Sequence, residues 1–253
     1  MLFTIKSQTI NVNVPTWDDL ESRVEARLRE RSGFSLATIN LDHLVKLNRS
    51  SVFRDAYQRQ DFVVADGNPI VWMSKLAKQP VELIPGSDAI LPLAKVAARN
   101  AVPVAFVGST AESLASAKAF LETEVPGLEV ALCISPPMGF DPLSEAADEV
   151  LRQVEASGAG LCFVALGAPK QEVLSARGRT VAPTVGFASI GAGLDFFAGS
   201  QKRAPDWARR YALEWMWRML GNPRRLGVRY LKCLLILPGQ VVQALALRAR
   251  NQL

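Results

Sequence analysis

The sequence predicts an α/β fold, Rossmann-like, with a mostly parallel sheet carrying helices on both faces and a basic helical appendage at the C-terminal end. Three observations predict it. From Phe34 to Gly186, β-branched apolar runs of strand length alternate with helical patterns, the signature of βαβ units. Polar and turn residues gather where those runs end. The charge also changes sign near residue 200: residues 200–253 hold 11 Lys and Arg against 2 Asp and Glu, leaving 18 and 22 for residues 1–199. These divide the chain into a mildly acidic body, 1–200, and a basic, partly apolar appendage, 201–253.

Taken in order, a first helix is expected over Trp17–Arg31, after Pro15 and with Thr16 as its N-cap. The strands expected are Phe34–Ile39, Phe62–Ala65, Val102–Val107, Leu128–Ile134, Leu161–Leu166 and Val181–Gly186. Between them the periodicity predicts helices over Leu41–Gln58, Pro69–Ala77, Asp88–Arg99, Ala111–Thr123, Leu143–Ala156 and Lys170–Arg177. In the appendage, Asp206 can cap a helix running to about Leu220, with Gly221 and Pro223 as stop signals. Arg210, Glu214 and Arg218 share one face of it, and Trp207, Tyr211 and Trp215 form an aromatic stripe suited to core packing.

Composition removes several classes of function. The chain has 253 residues, 49% hydrophobic and 21% charged, which suits a globular protein with a full core. Cys133, Cys162 and Cys233 lie in apolar runs without metal-ligand spacing, so a reducing cytoplasm is the expected compartment. No signal peptide is read at the N-terminus, and no run of 18 uninterrupted apolar residues predicts a spanning helix. His43 is the only histidine, which argues against nucleophilic triads and zinc sites. There is no Asp-x-Asp pair, no P-loop, and "GAGLDF" lacks the third glycine of a dinucleotide fingerprint. A diphosphate would have to be neutralised by arginines and helix N-termini, with no metal or other cofactor.

The strand ends carry the candidate site. Ligands in open α/β sheets bind outside the carboxyl ends of the strands. Those ends hold Thr38 and Asn40, Asp66 with Gly67 and Asn68, Gly108 with Ser109 and Thr110, Lys170, Gln171 and Glu172, and Asp195. Asp66 is either turn chemistry before Gly67 or a general base at a strand end. Lys170 and Gln171 are expected on the rim of the crevice. In the appendage, Arg224, Arg225, Arg229 and Lys232 precede the apolar, Pro-interrupted "CLLILPGQVVQALAL", a pattern closer to an interfacial membrane element than to a DNA-binding helix.

In sequence order, "TINLDH", "VVADGNPIVW", "IPGSD", "FVGST", "ALGAPKQE", "SIGAGLDFFAGSQKRAPDW", "LEWMWRML" and "PRR" resemble the WecG/TagA/CpsF family of bacterial glycosyltransferases. The motifs span about Thr38 to Tyr230. The resemblance implies an inverting, metal-independent enzyme. It would move a sugar from a UDP-sugar to a polyprenyl-diphosphate-linked saccharide, as a peripheral protein on the cytoplasmic face of the membrane. The family makes teichoic acid linkers, enterobacterial common antigen, capsules and other exopolysaccharides. By motif, the resemblance casts Asp66 as catalytic base and Thr38, Asn40 and Gln171 as pocket residues. The appendage arginines (Arg203, Arg218, Arg224, Arg225 and Arg229) then close over the diphosphate. Two positions depart from the pattern: Leu83 stands where many relatives carry arginine, and Val228 where a basic residue is frequent, with Arg229 next to it.

Two other classes compete. A non-catalytic nucleotide-binding scaffold at the membrane would keep its function in Asp66→Asn. A nucleic-acid binder would show steep salt dependence, and the apolar tail argues against it. Homo-oligomer formation, the sugar and the acceptor are left open by the sequence.

Overall fold

The computed structural model describes residues 1–197, 199, 205, 214–221 and 223–250. Six strands form a parallel sheet: β3 (Ser35–Ile39), β4 (Phe62–Ala65), β5 (Val104–Gly108), β6 (Val130–Ile134), β7 (Leu161–Ala165) and β8 (Gly186–Ser189), in the spatial order β4-β3-β8-β7-β5-β6. Before them comes a feature the sequence reading did not find, an antiparallel hairpin of β1 (Leu2–Ile5) and β2 (Gln8–Asn11). Each strand is only four residues long, too short for alternation to register as a pattern.

Side-chain alternation gives the sheet two buried faces. Leu36, Val64, Phe106, Phe163 and Ala188 face α1 (Trp17–Arg29), α5 (Gly86–Arg99) and α6 (Ala111–Glu124). On the other face, Ala105, Val107, Cys162, Val164 and Phe187 meet α7 (Glu145–Ala156) and α8 (Lys170–Val181). Beside them, Ala37, Ile39, Val63 and Ala65 meet the hairpin, α2 (Leu41–Arg49), α3 (Ser51–Gln58) and α4 (Asn68–Leu76). A fully buried side chain such as Phe106 or Phe163 contributes roughly 2–3 kcal/mol.

Three expectations about elements are corrected. The helix expected over Leu41–Gln58 is two helices, because Ser50 is extended and its side chain accepts from Phe53 N, starting α3 anew. The strand expected over Val181–Gly186 lies later, at Gly186–Ser189, since α8 continues to Val181. Gly178 lets α8 lie directly on β8, since a Cβ there would sit 2.5 Å from the Phe187 ring. In the appendage, Asp206 and the first part of its expected helix lie outside the described residues, which begin again with α10 (Glu214–Gly221).

The third correction concerns the tail. Pro223 opens α11 (Pro223–Arg250), a 28-residue helix that continues through Pro238. Its segment Leu226–Arg250 is long and apolar enough to cross a membrane by length and composition, although polar residues interrupt it. In the structure it packs along the body, against α2, α4 and β1. Gln243 donates to Thr4 O and accepts from Thr4 N, which pairs the helix with the edge of β1, and Cys233 and Ala244 are buried. Val228, Leu231, Leu234, Leu235, Val242 and Leu245 are exposed.

Candidate active site

The connection leaving β5 runs outward to β6, whereas that leaving β7 runs the other way to β8. The connections leaving the adjacent strands β5 and β7 therefore diverge, which is where a crevice opens at the carboxyl edge of such a sheet. Gly108 closes β5 at φ +118, and a Cβ there would lie 2.3 Å from Ala165 O, so only glycine lets the two strand ends approach. Ser109 follows at φ +55, a costly conformation for a residue with a side chain. Side chains hold it there: Ser135 donates to Ser109 O, and the Ser109 hydroxyl donates to Asp195 in α9 (Gly193–Phe197).

Two strands away, β3 and β4 bring the other candidates together. Asn40 is the N-cap of α2, its Oδ1 accepting from His43 N at 3.0 Å. The same amide donates from Nδ2 to Asp66 Oδ2 at 3.2 Å. Capping fixes which way the amide points, so its donor is aimed at the carboxylate. Asp66 N bonds Ile39 O at 2.8 Å, locking the two strand exits side by side. Thr38 is buried one strand from β8, with its hydroxyl 3.5 Å from Ser189 O. Leu83, the departure from the motif, packs in the apolar cluster and bridges to Ala65 beside Asp66.

Helix starts at this edge are of two kinds. Those of α2 and α6 are capped by the side chains of Asn40 and Thr110, which accept from His43 N and Ser113 N. At the carboxyl edge, α4 begins at Gly67 (φ +124), α5 at Pro85 and α8 at Pro169, none with a side-chain cap. Asn68 and Lys170 are the first residues of α4 and α8. Uncapped helix N-termini offer partial positive charge and N–H donors to an anion.

Gln171 does not stand on the rim as expected, and Glu172, a candidate for the site, is buried as well. Gln171 is 2% exposed, with its Oε1 accepting from Gly191 N at 3.0 Å and its Nε2 donating to Glu172 Oε1 at 2.9 Å. It ties the β7–α8 loop to the turn after β8. Glu172 is fully buried beneath it, 3.9 Å from His43 Nδ1, which in turn lies 2.6 Å from the Tyr57 hydroxyl. Burial pushes the Glu172 carboxyl up to about 7, against the opposing effects of Gln171 and Lys46. Burial likewise lowers His43 to about 3, helped by Lys46. The apolar periodicity around "LDHLVKL" placed His43 on a helix, but nothing local announced its distant partner Glu172.

This buried pair makes a pH prediction. From pH 4.5 to about 7 the native state keeps a proton on Glu172 that the unfolded chain releases, so stability falls as pH rises. His43 acts oppositely: from about 3 to 6.5 the unfolded chain binds a proton that the native state lacks, so stability falls as pH falls. Glu172→Gln removes only the first effect. The variant is expected to be more stable than the parent above pH 7 by roughly 3 kcal/mol. Urea unfolding across pH 4–8 checks this; equal stability at pH 8 would mean that Glu172 ionises in the fold without cost.

The appendage residues divide. Arg203 lies outside the described residues. Arg218 is on α10 and Arg224 and Arg225 are in the first turn of α11, but their side chains lie outside what is described. Arg229 is placed: its Nε is 3.3 Å from Asp42 Oδ1, two residues after Asn40. It therefore tethers α11 to the start of α2 beside the candidate site. Among the described residues, no three His, Cys, Asp or Glu side chains gather to hold a metal ion.

The sequence profile of the "Glycosyl transferase WecG/TagA/CpsF family" matches residues 5–251. A curated relative from Bacillus spizizenii, an N-acetylglucosaminyldiphosphoundecaprenol N-acetyl-beta-D-mannosaminyltransferase, is 30% identical over 200 residues, covering 78% of this chain and 75% of the relative.

Proposed function

The chain belongs to the WecG/TagA/CpsF family of glycosyltransferases, and on that premise we propose that it transfers a sugar from a UDP-sugar to a polyprenyl-diphosphate-linked saccharide, with Asp66 as general base. The observation that carries this reading is the Asn40–Asp66 contact at the paired exits of β3 and β4. A carboxylate held in one orientation at a strand exit is suited to taking a proton from a hydroxyl brought within hydrogen-bond reach. The deprotonated acceptor oxygen attacks the anomeric carbon, the bond to the UDP oxygen breaks, and the configuration inverts. The relative's acceptor, by its name, is a GlcNAc-diphosphate-undecaprenol; the same class of acceptor is proposed here.

Neutralisation of the leaving UDP falls to the uncapped N-termini of α4, α5 and α8 and to Arg203, Arg218, Arg224 and Arg225. The exposed apolar face of α11 suits a lipid surface, and its opposite face is committed to the body. This favours a peripheral helix at the cytoplasmic face over a spanning one. With a single histidine and no Asp-x-Asp pair in the chain, transfer is expected to persist in EDTA. The test offers a panel of UDP-sugars and a short-chain polyprenyl-diphosphate GlcNAc, with chelator and then with Mg²⁺ or Mn²⁺. Product at equal rates supports the reading. A strict requirement for either ion would overturn the account of how UDP is neutralised.

A further inference from the structure

We infer that Asp42 and Lys46 are a positioning pair that transmits the seating of α11 to the β7–α8 loop. Asp42 uses both carboxylate oxygens. Arg229 Nε of α11 lies 3.3 Å from Oδ1, and Lys46 Nζ lies 2.9 Å from Oδ2. Lys46 Nζ also donates to Ala168 O at 3.0 Å. Three segments far apart in sequence are thus joined through one carboxylate and one ammonium group: the appendage, the start of α2 and the loop of residues 166–169.

An exposed Asp–Lys pair one helical turn apart has little effect. This one differs in two ways. The Asp42 side chain is only 11% exposed, so removing one cation leaves its charge poorly compensated. Lys46 is shared with a carbonyl of the loop: Asp42 holds its Nζ where it also reaches Ala168 O, so whatever disturbs the carboxylate disturbs the loop's anchor. Without Arg229, the carboxylate is no longer fixed from the α11 side, and the Lys46 anchor it positions for the loop loosens with it. Ala168 stands three residues before Gln171, whose amide holds Gly191. Asp42 also lies in the first turn of α2, whose cap Asn40 holds Asp66. Seating of α11 therefore orders both halves of the crevice.

The catalytic consequence rests on the transferase reading; the coupling itself is measurable without activity. The experiment is hydrogen exchange by mass spectrometry on the full-length chain. Arg229→Gln, Asp42→Asn and Lys46→Met are each expected to raise exchange in the peptide covering residues 164–172 by about fivefold. Exchange in residues 104–108 should stay unchanged, and Arg229→Lys should restore most of the protection. The double variant Arg229→Gln/Asp42→Asn should be no worse than either single one. In the transfer assay the same variants should lower kcat about fivefold while KM for the donor changes less than twofold. Parent-like exchange over 164–172 in Arg229→Gln, or multiplicative effects in the double variant, would overturn the inference. A parent protein that transfers no sugar would count against the transferase reading instead, and the exchange data would still decide the coupling.

Discussion

Removing the chain after Leu220 is expected to abolish most transfer, by about 10²-fold or more, and most binding to anionic liposomes. The body, residues 1–199, carries more acidic than basic residues and cannot balance a departing UDP. On the proposed reading the arginines of the appendage supply the countercharge, and groups aimed at developing charge typically contribute a few kcal/mol each. The truncation also strips α11 from the hairpin, α2 and α4, uncovering the surface under Ile236, Leu237, Ala244 and Leu247. A loss of stability would therefore accompany the loss of rate. Arg224→Ala/Arg225→Ala separates the two, because it leaves that packing in place. With a water-soluble acceptor, where membrane attachment no longer matters, this pair should still lower kcat by about 10²-fold. Liposome binding should weaken by roughly 1 kcal/mol per basic residue removed. Full activity of the truncated chain on the soluble acceptor would reduce the appendage to an anchor.

What the sequence made legible follows from the range of each interaction. Strands β4 and β7 were readable because both sheet faces are covered, so "FVVA" and "LCFVA" are apolar throughout. Thr16 as a cap was readable because its partner, Asp19 N, is three residues away. Placing Thr38, Asn40 and Asp66 at one edge needed only the rule about strand ends. That Asn40 aims its amide at Asp66 depends on the pairing of β3 with β4, which no local pattern encodes. The burial of Gln171 and Glu172 was misread for a related reason. A polar triplet at a helix start looks solvent-facing until His43, Gln60 and Gly191 are brought over it from elsewhere. The β8 boundary was missed because Val181 looks like a strand start, whereas it closes α8 and residues 182–185 form the turn before β8. The close approach of Gly178 to Phe187, which seats α8 on β8, is a tertiary contact that no local pattern announces.

Asp66→Asn is expected to lower turnover by about 10²- to 10⁴-fold, the usual loss when a general base is removed. The substitution keeps the size of the side chain and an oxygen able to accept from Asn40 Nδ2, so the paired strand exits should remain as they are. What it removes is the capacity to take a proton from the acceptor hydroxyl. Donor binding, assigned to helix N-termini and arginines, does not depend on that capacity. The rate and the affinity should therefore separate. The decisive measurement sets single-turnover transfer by Asp66→Asn, with a saturating UDP-sugar and a soluble polyprenyl-diphosphate GlcNAc, beside calorimetric UDP binding by the same protein. A rate at least about 100-fold below the parent with UDP affinity within about twofold is the predicted result. Transfer at the parent rate would contradict the account, because the proton would then be leaving by a group other than Asp66.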